Sequence, residues 1–202
     1  MKTWFTSDTH FGHKNIVTYQ PNRAADFGMR NAHDVVEMSE RIIVRWNEIV
    51  NPEDTVYIVG DFAMGIVSET IEYARRLNGR KILIPGNHDR MHPIMHKSDE
   101  KTAEWERIYA DVGFENIGIG PHEMVIDGIK VLVSHFPYSG DHTDEVRYGE
   151  YRPADNGMPL VHGHVHGLWK TNGRQFNVGV DAHGGQFVSP EQIGSYFRSI
   201  GF

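Results

Sequence analysis

The sequence predicts an α/β protein. Three observations carry this. Strand-like runs alternate with amphipathic helical stretches through the first half of the chain, which is the signature of layered α/β folds. One run, Thr55-Val56-Tyr57-Ile58-Val59, is almost continuously apolar, as a strand buried on both faces must be. Further on, Met124-Val125-Ile126 and Ile129-Lys130-Val131-Leu132-Val133 flank Asp127-Gly128, a hairpin signal that adds an antiparallel element. The 202 residues suit a single domain, 1–202, able to bury a core without staples.

Taken in order, Thr3-Trp4-Phe5-Thr6-Ser7 is the first strand, and it ends in Asp8-Thr9-His10. Alternate residues of an extended segment point the same way, so Asp8 and His10 can reach one point together. Residues 14–30 show no period and read as a long surface loop, and loops of that length beside a site are often functional. Residues 32–50 read as an amphipathic helix, with Val35, Ile42, Ile43, Trp46 and Ile49 at helical spacing and Pro52 as a stop signal. Strand 55–59 closes in Gly60-Asp61. A second helix is expected over 68–78, with Ser68 as its N-cap and Gly79 beyond its end. Lys81-Ile82-Leu83-Ile84 is the third strand and leads through Pro85 into Gly86-Asn87-His88-Asp89.

Residues 92–98 are irregular, and residues 99–112 read as a third helix ending at Gly113. The second arm of the hairpin runs into Ser134-His135. A polar loop is expected over 139–157. Leu160-Val161 leads into His162-Gly163-His164-Val165-His166, and Arg174-Gln175-Phe176-Asn177-Val178-Gly179 is a further strand. Ser189-Pro190-Glu191-Gln192 opens a terminal helix with serine at N-cap, proline at N1 and glutamine at N3, a full capping box.

Composition narrows the function. Lys and Arg number 20 against 27 Asp and Glu, a net charge of −7, so no extended nucleic-acid footprint is expected. No apolar run is long enough to span a membrane and the amino terminus lacks a signal-peptide pattern, so a cytoplasmic protein is expected. There are 13 His and no Cys. Thiolate sites are excluded, and histidine with carboxylate points to harder divalent metals.

Asp8 with His10, Asp61, Asn87 with His88, His135, and His164 with His166 all stand at strand ends. Any one of these groups alone is a common pattern. If the strands share a sheet, the five ends converge on one edge, where open α/β sheets bind ligands. Converging carboxylates and imidazoles need a cation between them. Asp8, His10, Asp61, Asn87, His135, His164 and His166 make seven ligands, too many for one first-row ion but enough for two with one carboxylate bridging, and two-metal sites act on phosphate esters.

In its blocks Asp8-Thr9-His10, Gly60-Asp61, Gly86-Asn87-His88-Asp89, His135 and Gly163-His164-Val165-His166, the chain resembles the calcineurin-like metallophosphoesterase superfamily. More locally it resembles a compact bacterial and phage group within it, through Phe11-Gly12-His13, Arg23, Asn177-Val178-Gly179-Val180-Asp181 and Val188-Ser189-Pro190-Glu191. The resemblance implies a four-layer α/β/β/α sandwich with mixed sheets. It implies that Asp8, His10 and His166 hold one metal, that Asn87, His135 and His164 hold the other, and that Asp61 bridges. It makes His88 the general acid or a transition-state contact, and Asp89 the residue that orients it. The implied cofactors are two divalent ions, manganese first, with iron, zinc and nickel as the other members.

The expected activity is hydrolysis of a small phosphate ester, a phosphodiester such as a cyclic nucleotide foremost, by metal-bound hydroxide. A nuclease or phosphomonoesterase is the alternative, and a scaffold that lost its chemistry ranks last because every motif residue is present. His13 is read as a phosphate contact or a residue behind the ligands, and Arg23 as the cation for substrate phosphate. Tyr138, Arg147 and Arg152 are weaker candidates in a later loop. His162, which alternates with His164 and His166, is read as structural, and His92, His96, His122, His142 and His183 as surface or loop residues. Specificity is expected in residues 14–30, 90–98 and 139–157.

Overall fold

A computed structural model describes residues 1–141, 145 and 147–202. His142 lies outside the described residues, as does part of the loop expected over 139–157. Two sheets lie at the centre. Strands β1 (Thr3–Thr6), β2 (Thr55–Ile58), β3 (Arg80–Leu83) and β4 (Phe114–Asn116) form a parallel sheet in the order β1-β2-β3-β4. Strands β5 (His122–Ile126), β6 (Ile129–Val133), β7 (Leu160–His162), β8 (Thr171–Asn172) and β9 (Gln175–Asn177) form the second sheet, in the order β5-β6-β7-β9-β8. Here β6, β7 and β9 run parallel, while β5 and β8 pair antiparallel at the two edges.

The expected strand ends therefore belong to two sheets rather than one edge. Asp8, Asp61 and Asn87 follow β1, β2 and β3, while His135 and His164 follow β6 and β7. Parallel pairing of β1 to β4, and of β6, β7 and β9, puts the carboxyl ends of each set on one side, and the two sets meet there across the sandwich.

The layers follow from side-chain alternation. On β2, Val56 and Ile58 face a core built with Met38, Ile42, Ile43 and Trp46 of helix α3 (Val35–Ile49). Tyr57 and the following Val59 face the other way, into a second core with Val131 and Val133 of β6 and Phe176 of β9. Helix α5 (Asp99–Asp111) joins the outer core through Trp105, Ile108 and Tyr109. Helix α6 (Pro190–Ser199) packs against β1 and β5, with Ile193 and Phe197 in the same core as Phe5 and Ile126. The capping box forms as its residues predict: Gln192 N donates to Ser189 Oγ, and Gln192 Oε1 accepts from Ser189 N at 2.8 Å.

Residues 14–30 are not one irregular loop. They fold into two single-turn helices, α1 (Ile16–Tyr19) and α2 (Arg23–Asp26). Four-residue turns are too short to show a period, and they form here because Ile16 and Arg23 are buried. The helix expected from Ser68 begins earlier as α4 (Val67–Thr70), N-capped at Ile66, and continues as a 3₁₀ turn over Ile71–Arg76. Burial of Val67, Ile71 and Ala74 sets its start, not the serine. Among the described residues no helix is long and apolar enough to cross a membrane.

Candidate metal centre

The backbone aims the ligands. Beyond β1 and β2 the two chains stay hydrogen-bonded as they turn: Asp8 N donates to Gly60 O at 3.0 Å, His10 N to Asp61 O at 3.1 Å and Phe11 N to Phe62 O at 2.9 Å. Seven described non-glycine residues take positive φ, and five of them are Asp8, His10, Asp61, His164 and His166. Each left-handed residue costs on the order of 1–2 kcal/mol. Asp and His adopt this region more readily than most, and it folds each side chain back towards the sandwich end. The glycines of the same blocks answer to close approach. A Cβ on Gly86 would collide with the Asp61 carboxylate, and one on Gly163 with Ser7 Oγ and the Asp8 carboxylate.

Two overlapping donor sets result. Asp8, His10 and His166 offer ligand atoms within 4.8 Å of one another, as do Asp8, Asp61 and His135. Asp61 Oδ2 stands 3.7 Å from His10 Nε2 and 3.5 Å from His135 Nε2, so one oxygen faces both sides of the centre. Asn87 Oδ1 is 3.1 Å from His135 Nε2 and 3.0 Å from His164 Nδ1. All seven residues read from the sequence as ligands converge here and are buried. The partners of the other ring nitrogens set the donors. His135 Nδ1 is 2.8 Å from Val59 O and His166 Nδ1 is 3.0 Å from Asp181 Oδ2, which leaves Nε2 of each ring for a cation.

A cation fits this donor set. His10 is 1 % exposed, yet neither of its ring nitrogens has a hydrogen-bond partner. Burial and the neighbouring cations hold it well below the ordinary imidazole range, so it is neutral and able to ligate. Burial likewise pushes Asp8 up, with the nearby imidazoles opposing. Burial would also raise Asp61, but His135, His88 and the His88 N–H outweigh it and hold that carboxyl at about 2. Oxygen and nitrogen donors without thiolate suit manganese, iron, zinc or nickel and do not choose among them.

The remaining expectations divide. His88 lines the same cleft, its ring 5.5 Å from that of His10. His13 also lines it, 5.5 Å from His10. Asp89 does not face His88. Its carboxylate accepts from Asp61 N at 2.8 Å, Gly86 N at 2.8 Å, Phe62 N at 3.1 Å and Tyr109 Oη at 3.3 Å, so it fastens the turns after β2 and β3 together. Burial and the adjacent Asp61 raise it to about 6.

Arg23 is not a substrate contact. It is 0 % exposed; Nε and Nη2 donate to Asp181 at 2.7 and 2.6 Å, while Nη1 and Nη2 donate to the carbonyls of Thr9 and Asp8, both at 2.8 Å. The guanidinium clamps the first ligand loop to the carboxylate behind His166. His162 is buried with Nδ1 on Gly163 O and its ring against Trp169, as a structural residue. His92, expected at the surface or in a loop, precedes the 3₁₀ turn Pro93–Met95 but is buried against Phe136 and Tyr151.

Three residues escaped prediction or were undervalued. Asp181 had a signal, since it lies in the stretch 177–181 that carried the local resemblance. Asp141 had none: its Oδ1 stands 3.2 Å from His164 Nε2. Arg147 is the cation that lines the cleft. The cleft encloses about 450 Å³ between the histidines, Arg147, and a wall of Ile16, Tyr19 and Gln20 from the α1 region.

Comparison with known proteins gives the family. The family model for calcineurin-like phosphoesterases matches residues 1–168. The chain is 34 % identical over 200 residues to the gene 66 protein of Mycobacterium phage L5, spanning 95 % of this chain and 91 % of that one. It is 35 % identical over 189 residues to the gene 66 protein of Mycobacterium phage D29, spanning 89 % and 87 %. Among solved structures, the protein of unknown function AQ665 from Aquifex aeolicus superposes with a TM-score of 0.66 at 25 % identity, covering 96 % of this chain and 98 % of that one. The chain belongs to the calcineurin-like phosphoesterase family.

Proposed function

We propose that the protein is a dinuclear metal-dependent phosphoesterase that hydrolyses a small phosphate ester, a phosphodiester such as a cyclic nucleotide in first place. One observation carries this: a single oxygen of Asp61 faces His10 on one side and His135 on the other. That is the geometry a bridging carboxylate requires. Asp8, His10 and His166 would hold one ion, and Asn87, His135 and His164 the other. Two such ions, manganese foremost, would withdraw charge from the phosphoryl oxygens and make water a nucleophile near neutral pH.

The chain's own groups do the rest. His88 stands in the cleft on a turn that Asp89 and Asp61 hold from below, and it gives its proton to the leaving oxygen. Arg147 takes the place assigned to Arg23 as the cation for a phosphoryl oxygen, with His13 beside it. Ile16 and Tyr19 give one wall an apolar face, which suits an organic ester group. The cleft volume and the −7 charge suit a small substrate over a long nucleic acid.

The test is hydrolysis of bis(p-nitrophenyl) phosphate against p-nitrophenyl phosphate with manganese, then with a chelator. The diester is expected to be the better substrate and the chelator to abolish turnover. His88→Ala is expected to lower kcat by roughly 10²–10⁴-fold with both ions retained. Asn87→Ala is expected to lower metal occupancy. No turnover of either ester with any divalent metal would sink the reading.

A further inference from the structure

The two histidines of Gly163-His164-Val165-His166 use opposite ring nitrogens. His166 turns Nδ1 to Asp181 and keeps Nε2 for the centre. His164 turns Nδ1 towards Asn87 Oδ1 at 3.0 Å, so its outward nitrogen is Nε2, 3.2 Å from Asp141 Oδ1. The Asp141 side chain is fully buried. Among the described residues it also meets Arg152 Nη2 at 2.9 Å, Arg147 Nη2 at 3.4 Å and Arg147 N at 3.2 Å. The Arg152 side chain is itself nearly buried.

A neutral imidazole carries one proton, and the nitrogen that keeps it cannot ligate. For His164 to offer Nδ1 to the Asn87–His135 side, the proton must sit on Nε2. Without an acceptor at Nε2, the proton could move to Nδ1 and be donated to Asn87 Oδ1, which would cost the centre two donors at once. Asp141 supplies that acceptor.

We infer that Asp141 is a positioning residue. It fixes His164 in the Nε2–H form and so sets the affinity of the second metal position, the one formed with Asn87 and His135. The inference rests on the dinuclear reading above. Asp141 also ties the loop after β6 to the centre, since the same carboxylate holds Arg147, which lines the cleft.

Two measurements on the full chain test this. In the metal-free protein, ¹⁵N–¹H correlation of the histidine rings is expected to show the His164 proton on Nε2. A proton on Nδ1 would overturn the inference with no variant needed. Titration with manganese alone is expected to give two ions per chain in the wild type. In Asp141→Asn, one ion is expected to keep its affinity while the other binds roughly ten- to a hundred-fold more weakly. Arg152→Gln, which cuts one of the loop's holds on Asp141, is expected to leave both affinities unchanged. Two wild-type affinities in Asp141→Asn would refute the role of Asp141 alone, and so would equal weakening in Arg152→Gln, which would make loop anchoring the cause. A wild type that binds fewer than two ions would refute the dinuclear reading and this inference with it.

Discussion

The carboxylates behind His164 and His166 are mounted differently. Asp181 stands on a short turn (Val180–His183) just past β9 and is gripped by Arg23, whose partner lies 158 positions away in the chain. The same arginine holds the Asp8 and Thr9 carbonyls, so three distant segments lock together around His166. Asp141 sits in the loop after β6, and its arginines come from the same loop, 6 and 11 positions on. Long-range buried contacts make the His166 side part of the fold's global stability. Among the described residues the arginine partners of Asp141 are local, so less of that stability rests on them. The difference teaches that the two carboxylates draw on the fold unequally, Asp181 on distant segments and Asp141 on arginines of its own loop.

The largest expected effect comes from breaking the better-mounted side. Asp181→Ala strands a fully buried guanidinium, and unpairing a buried charge costs roughly 3–5 kcal/mol. Urea unfolding of this variant beside Asp141→Ala measures the contrast, with the smaller loss expected for Asp141→Ala; equal losses would erase it. A second effect is confined to acid. Burial pushes Asp181 up, but Arg23 and His166 outweigh it and hold the carboxyl at about 2. An unfolded aspartate titrates near ~3.9. The native state thus binds fewer protons than the unfolded one between these values, so the stabilisation is full above about pH 4 and is lost as pH falls through about 2. Urea midpoints measured between pH 5 and pH 3 should fall more steeply in the wild type than in Asp181→Ala. The smallest effect concerns the Asp141 side. Arg147→Ala is expected to raise KM for the diester about tenfold, as loss of one charge-assisted contact would, with kcat and both metal affinities unchanged. A fall in kcat at constant KM would move Arg147 from binding to chemistry.

The sequence made the ligand blocks legible because each is a short polar run closing a strand, and strand ends are fixed by local pattern. Residues whose roles depend on distant partners were not legible. Arg23 looks like a loop cation until Asp181 is placed beside it, and Asp89 looks like a partner for its neighbour His88 until the N–H groups of Asp61 and Phe62 claim it. The division into two sheets was carried by the resemblance, whereas periodicity alone allowed one. Strand β4 (Phe114–Asn116) is three residues long with two of them exposed, too little to leave a pattern. Asp141 is a lone aspartate in a polar stretch, and only the ring of His164 singles it out.

The meeting of two sheets at the site has a thermodynamic consequence. Asp8, Asp61 and Asn87 belong to the first sheet, and His135, His164 and His166 to the second. An ion coordinated by both sets is a crosslink that the unfolded chain cannot reproduce. At a thousand times its dissociation constant, such an ion adds about 4 kcal/mol to the folded state. Loading the centre would therefore shift the melting temperature as well as enable turnover, and the cell's supply of the metal would bear on how long the folded chain survives.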